Sequence, residues 1–419
     1  MEGIKKLMSE LKERFKDSFY RNYLWYTALE TELLFFVVCD AMFLTQAKHL
    51  TVEQVSQITF LSLAFSLLIQ YPLFRFVNRC GNGISVRVGS LSFLLSSVCI
   101  TFATGYYMVL VGGFLKCIGH TLNFMGTAIM KNHLAHNYCE NRFVSWQSDA
   151  NSAASVVMMI TSFLCGFLFR INAYYPMVAC IIMCLAGVIV SLRISQEEQP
   201  FDKIIPATDR SKYADSQKQV RRSSDILLFI SFALFAALSG TGLSYSRLNF
   251  QELLAGRESR YVVSLLSIVS SLIYLVRFLS NILMRNAGKK FREKGPVLAS
   301  LLMMTGLLMQ TVPWGVPFRH TAALICIGYL LQAFVRDPYT TLITNISLDN
   351  SNPGRQQSML IALNGAKKAG TLMLAAACTL ILKSDNILYV MSLMTALSCM
   401  NIIFALICLT DRYSLSCYR

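Results

Sequence analysis

The sequence predicts an all-α integral membrane protein whose twelve transmembrane helices form two pseudo-symmetric six-helix bundles. Three observations lead there. Apolar side chains make up 54% of the 419 residues and charged ones only 15%, at a mean hydropathy of +0.49. A water-soluble domain carries roughly a quarter charged residues. The apolar residues fall in continuous runs of about twenty, the length that carries a helix across a bilayer core, and not in the two-residue alternation of a barrel strand. The third observation is the stretch 196–225, QEEQPFDKIIPATDRSKYADSQKQVRRSSD, whose six acidic and six basic residues interrupt an otherwise apolar chain near its middle. Such a segment buries too little apolar surface to offset its conformational entropy, so it reads as a linker between two halves.

In chain order, residues 1–22 place Ile4, Leu7, Met8, Leu11, Phe15 and Phe19 at helical spacing among Lys5, Lys6, Lys12, Arg14 and Lys16. That is the pattern of a basic amphipathic helix on a membrane surface, with a disordered basic leader as the alternative. It lacks the short apolar core and small-residue cleavage site of a secretory signal. The first bundle, 23–195, contains apolar segments at Tyr23–Ala47, Gln57–Val77, Val86–Thr104, Tyr106–Met130, Phe143–Phe169 and Tyr174–Ile194. The second, 226–410, contains Ile226–Asn249, Tyr261–Met284, Pro296–Val312, Thr321–Asn345, Ser358–Leu382 and Asn386–Leu409, followed by a tail at 411–419. With both termini inside, 26 of the 38 Lys and Arg fall on the inner side and 7 on the outer. The positive-inside rule then places the termini and the linker in the cytoplasm. The same distribution accounts for most of the +15 net charge, so no nucleic-acid partner is needed to explain it.

The two halves echo each other. Asn78-Arg79-Cys80-Gly81 closes the second segment of one half, and Arg285-Asn286-Ala287-Gly288-Lys289-Lys290 closes the second segment of the other. Glu140-Asn141-Arg142 and Pro353-Gly354-Arg355 stand at matching entries to the fifth. Parallel repeats of this kind are the signature of two bundles with a binding site between them. The layout resembles the major facilitator superfamily over essentially the whole chain. That family carries Gly-x-x-x-Asp-Arg-x-Gly-Arg/Lys-Arg/Lys between its second and third helices. Here Phe74 stands for the first Gly and Asn78 for the Asp, Arg79 and Gly81 are in register, and Asn82 and Gly83 replace the basic pair. In the second half Gly288, Lys289 and Lys290 fit the tail of the motif, with Arg285 where the Asp would be. The resemblance implies gating loops at Asn78, Arg79, Gly81, Gly288, Lys289 and Lys290. It also implies a secondary active transporter, symporter or antiporter, working by alternating access in the cell membrane. The fifth segment has no proline between Ser152 and Gly166, unlike the drug/proton antiporters of that family.

Ionisable residues inside the apolar segments carry what chemistry there is. They are Glu30, Glu32, Asp40, Lys116, His120, Arg277, Arg336, Asp337, Lys367 and Lys368. A charge at the centre of a membrane helix costs about 2.5–3.5 kcal/mol on insertion scales, so most of these must face a wet cavity or one another. Lys116, His120 and Asn123 share one helix face, as do Gln332, Arg336, Tyr339 and Thr340, and as do Asn364, Lys367, Lys368 and Thr371. In the resembled fold, helices 1, 4, 7 and 10 line the central cavity and helix 11 borders it. The substrate-binding candidates are therefore Lys116, His120, Asn123, Gln332, Arg336, Lys367 and Lys368. Structural ion pairs are the competing reading, and snorkelling is a further one for Arg277. The proton-coupling candidates are Glu30, Glu32, Asp40 and Asp337. On one continuous helix Glu30 and Glu32 would lie about 200° apart, and which acid titrates stays open.

The expected function is proton-coupled movement of a small anionic or zwitterionic solute, with export of amphipathic compounds or lipids as the alternative. The expected partners are that solute, protons and the lipid bilayer, with the protein a monomer. No catalytic residue, metal or cofactor is expected: H-E-x-x-H, P-loop and G-x-S-x-G motifs are missing, and a membrane-embedded enzyme using His120 or Asp337 has no nucleophile–base pair to support it. His133, His136 and Cys139 read as a plain loop, and the 13 scattered cysteines as packing residues.

Overall fold

The computed structural model describes residues 14–139, 142–197, 223–253, 259–287, 294–311, 318–349, 356–382 and 387–416. Most of the linker and of the basic N-terminal stretch, and the loop residues Gly288, Lys289 and Lys290, lie outside the described residues. Among the described residues the regular structure is helical throughout. In the first half lie α1 (Ser18–Glu30), α2 (Phe36–Met42) with a π-helical turn at Phe43–Ala47, α3 (Val52–Leu68), α4 (Gln70–Phe102), α5 (Tyr106–Asn123), α6 (Gly126–His136), α7 (Phe143–Ile171) and α8 (Tyr175–Gln196). In the second lie α9 (Ser223–Leu253), α10 (Ser259–Ala287), α11 (Gly295–Leu308), α12 (Phe318–Asp349), α13 (Gln356–Leu382) and α14 (Ile387–Ser416).

Each of the twelve apolar segments expected from the sequence overlaps a helix among the described residues. Seven stretches among the described residues are long and apolar enough to cross a membrane by length and composition. This is a multi-pass membrane protein. The α12 and α13 helices are long enough but carry Arg336 with Asp337 and Lys367 with Lys368 in their middles.

Three segments depart from the continuous helices expected. The first breaks after Glu30. Thr31 turns its hydroxyl back onto the Thr27 carbonyl, Phe36 N–H bonds the Leu34 carbonyl at 2.8 Å, and Phe35 takes φ 65°. A bulky residue rarely holds that φ, and such strain costs about 1–3 kcal/mol. Glu32 therefore sits in a non-helical turn, and the helical-wheel angle expected between it and Glu30 does not apply. Between the second and third segments the expected loop contracts to one break inside α4, at Gly81 with φ 83°. Glycine alone occupies that region freely. The fourth segment is interrupted at Phe124–Met125 and resumes as α6, so His133 and His136 are helical and not in a loop. His133 stacks on Phe19 at 4.0 Å between ring centroids.

The halves pack through α7 against α10 and α12, and through α13 against α3 and α4. A core built on Phe19, Tyr20, Tyr23, Met130, Phe143 and Trp146 of the first half takes in Leu348, Leu360 and Ile361 of the second. Both halves thus share buried apolar surface at the end of the molecule where Trp146 and Ile194 lie.

Candidate functional site

Five ionisable side chains, from three helices and one non-helical turn, come within electrostatic reach of one another where the halves meet. Glu32 comes from the turn after α1, Lys116 and His120 from α5, Arg336 from α12 and Lys367 from α13. Each is half-buried. Glu32 lies in the electrostatic field of His120, Lys116, Arg336 and Lys367. Lys367 in turn feels Arg336, Glu32, Asp337 and Arg277. Among the described residues none of these five side chains closes an ion pair within 4.0 Å. Lys116 holds its ammonium 5.5 Å from the Phe36 ring centroid, a weak cation–π contact supplied by the segment just beyond the Glu32 turn.

The break after Glu30 separates the acids of the first segment into different surroundings. Glu30 is 2% exposed and accepts from Asn123 Nδ2 at 2.6 Å, deep in the first half. Its other oxygen lies against Gly187 of α8 and has no hydrogen-bond partner. Asp40 is half-buried on α2. Glu32 lies in the field of four basic groups, whereas burial and Asn123 dominate the surroundings of Glu30. Asn123 is thereby turned to Glu30, away from the stripe it shares with Lys116 and His120.

On α12 the polar stripe also divides. Gln332 is buried and donates to Ser246 of α9 at 3.1 Å. Tyr339 stacks on Phe235 at 3.6 Å between centroids and shares a 3.0 Å hydrogen bond with Ser231. Asp337 accepts from Arg277 Nε and Nη2, both at 2.9 Å, and from Asn281 at 3.1 Å. Arg277 therefore forms a structural pair and does not snorkel. Arg336, next to that pair in sequence, closes no ion pair among the described residues. The adjacent lysines of α13 diverge as well. Lys368 is buried and donates to Thr121 of α5 at 2.6 Å, while Lys367 faces Arg336 and Glu32.

At the end of the molecule where the apolar core is shared, a second polar cluster joins the halves. Asp149 of α7 accepts from Arg285 of α10 at 3.0 Å through one oxygen. Its other oxygen takes Arg14 at 3.0 Å and the Tyr20 hydroxyl at 2.8 Å. Asn151 donates to Thr341 of α12 across the same interface at 3.2 Å. Sequence reasoning passed over Asp149, an acid two turns into an apolar segment, which is the signal that could have found it. Of the residues expected in gating loops, Asn78 and Arg79 are exposed, and Gly81 forms the break in α4.

A family model described as Major Facilitator Superfamily matches residues 31–371. The chain belongs to the Major Facilitator Superfamily. Solved structures agree on the fold of this superfamily member. The chain is 15% identical to FucP captured in the outward conformation, with a TM-score of 0.66, covering 93% of this chain and 98% of that one. The fucose:proton symporter FucP of E. coli also appears at 16% identity, TM-score 0.65, 93% and 97% coverage. A bacterial homologue of the iron transporter ferroportin, in an outward-facing state, is 10% identical with TM-score 0.69, covering 93% and 98%. The human organic anion transporter MFSD10 (TETRAN) is 14% identical with TM-score 0.65, covering 92% and 99%. No curated protein matches the sequence. Family and fold make this superfamily member a secondary transporter of a small molecule.

Proposed function

We propose that the protein is a proton-coupled, alternating-access carrier of a small anionic solute. The observation that carries this reading is the cluster in which Lys116, Arg336 and Lys367 lie in the field of Glu32 while, among the described residues, none of them closes an ion pair. Unpaired cations lose hydration when a cavity closes, and an anion restores what they lose. Arg336 is the foremost ligand, because a guanidinium stays charged and forks onto a carboxylate or phosphate. Lys116 and His120 belong to residues 23–195 and Arg336 and Lys367 to residues 226–410, so a solute between them touches both proposed bundles. Rocking of those bundles about the solute would expose it to either side. Glu32 is the preferred proton carrier among the acids, since it lies in the field of the solute ligands while Asp337 is committed to Arg277. We place both termini and the linker in the cytoplasm, on the inner face of the cell membrane, with the monomer as the working unit. The fucose:proton symporter among the structural neighbours supports proton coupling, and the organic anion transporter supports an anionic cargo.

The test is uptake into proteoliposomes across a panel of anionic, zwitterionic, neutral and lipophilic cationic solutes, with and without an inward proton gradient. Accumulation of anions that collapses with a protonophore supports the reading. Accumulation confined to lipophilic compounds would replace it with the amphipathic exporter.

A further inference from the structure

Two helices of the first half break side by side, and their last residues hold each other. α1 ends at Glu30 and α5 at Asn123, and Asn123 Nδ2 donates to Glu30 Oε2 at 2.6 Å. Past the second break Thr127 N–H bonds the Phe124 carbonyl at 3.2 Å, and the Asn123 carbonyl accepts from the Tyr26 hydroxyl at 2.8 Å. Tyr26 and Glu30 lie one turn apart on α1, so a single helix face grips both the backbone and the side chain of Asn123. Two glycines admit the pair. A β-carbon at Gly187 of α8 would collide with Glu30 Oε1, and one at Gly89 of α4 with Asn123 Oδ1.

Nothing around Glu30 supports a negative charge. It is 2% exposed, and among the described residues no Lys, Arg or His comes within 4.0 Å of it. It stands at the C-terminal ends of two helices, where the backbone dipoles repel a carboxylate. Its neighbours on α4, α5 and α8 are Ser90, Asn123 and Gly187, none of which ionises. Tyr26, the titratable group on its own helix, gives its proton to the Asn123 carbonyl. An ionised carboxylate here would lose its hydration with no cation in return. Glu30 Oε1, Asn123 Oδ1 and Ser90 Oγ are moreover buried oxygens without a hydrogen-bond partner. A proton on Oε1 supplies a donor where these acceptors lack one.

We propose that Glu30 works as a neutral carboxylic acid, a positioning residue that ties the break in the first segment to the break in the fourth. The candidate site lies just beyond both breaks. Glu32 follows Glu30 by two residues, and His120 and Lys116 precede Asn123 by one and two turns of α5, so the clamp fixes the acid of the site against its α5 bases. Groups that hold a site in shape from behind act in this way. Glu32 keeps the role of proton carrier, and Glu30 retains its proton through the cycle. The proposal concerns the placement of these groups and holds whatever charge the solute carries.

The experiment uses the purified full chain without added solute. In the infrared difference spectrum of wild type minus Glu30→Gln, the carbonyl stretch of a protonated carboxyl appears at pH 8 and is unchanged at pH 6. Hydrogen–deuterium exchange then reads the two breaks. In Glu30→Leu the amides of residues 31–36 and 124–128 exchange at least about tenfold faster together, as expected when a local opening loses its restraint. Glu30→Gln, neutral and with a donor of the same reach, exchanges as the wild type does. Tyr26→Phe, a milder change, loosens residues 124–128 and serves should Glu30→Leu fail to fold. An ionised-carboxylate band from Glu30 at pH 8 would overturn the proposal, as would Glu30→Gln loosening both breaks or wild-type exchange in both Glu30→Leu and Tyr26→Phe. Anion binding, or its absence, decides the anion-carrier reading and leaves this test untouched.

Discussion

Arg277 grips Asp337 through two parallel hydrogen bonds, Nε to Oδ2 and Nη2 to Oδ1, each 2.9 Å long. The side chains are 15% and 10% exposed, and the pair fastens α10 to α12. Its consequence for the cavity is indirect: the acid beside Arg336 is already taken. Asp337→Asn would strand the guanidinium, a loss of about 3–5 kcal/mol for a buried pair broken on one side. The expected result is a clear fall in melting temperature with solute affinity per folded molecule kept within about twofold. Replacing both members, Arg277→Met with Asp337→Leu, should recover much of the stability, and thermal unfolding of the single and double variants measures the coupling.

Arg336 has the opposite expected behaviour. Its side chain has no ion pair to lose, so Arg336→Lys should fold as the wild type does. Lysine keeps the charge but gives up the planar fork, and anion affinity should fall by an order of magnitude or more. Titration and melting temperature on the same preparation check this; lost yield with unchanged affinity would make Arg336 structural.

The two lysines of α13 should separate. Lys367→Gln should raise the dissociation constant of an anionic solute about tenfold. Lys368→Gln should change it less than about twofold, because that ammonium is spent on Thr121. Equal effects would mean that both reach the solute.

How much of this was legible in the sequence depends on the range of the interaction involved. Helix positions follow from local composition, and each apolar segment overlaps a helix among the described residues. The charges to watch were visible too, since Glu32, Lys116, Arg336 and Lys367 are costly in lipid wherever they point. What the helical wheel could not supply is direction. It treated Glu30 and Glu32 as points on one cylinder, whereas the turn closed by Thr31 and Phe35 sends them to different places. It grouped Gln332 with Arg336 and Lys367 with Lys368, and only the packing of α9 and α5 against them decides which member turns inward. Asp149 was missed because its partners, Arg14, Tyr20 and Arg285, are distant in sequence.

That Asp149 cluster supports a prediction about gating. One carboxylate holding α10 of the second half and Arg14 of the N-terminal stretch favours the arrangement closed at this end. Asp149→Asn should weaken it, and each 1.4 kcal/mol lost multiplies the open population about tenfold. Spin labels at Asn137→Cys and Lys294→Cys, both exposed positions, in a background with reactive cysteines removed, report the separation. The variant should show a longer-distance population that the parent lacks.

Solute counterflow in proteoliposomes bears most directly on the claim that this is an alternating-access carrier of anions. Vesicles are loaded with unlabelled succinate or phosphate and diluted into a trace of the labelled anion at equal pH on both sides. The account predicts transient accumulation of label above equilibrium in the wild type, strongly reduced in Arg336→Lys. Equilibration of label at a rate indifferent to the internal anion, or no entry of any anion while neutral or lipophilic solutes exchange, would contradict it.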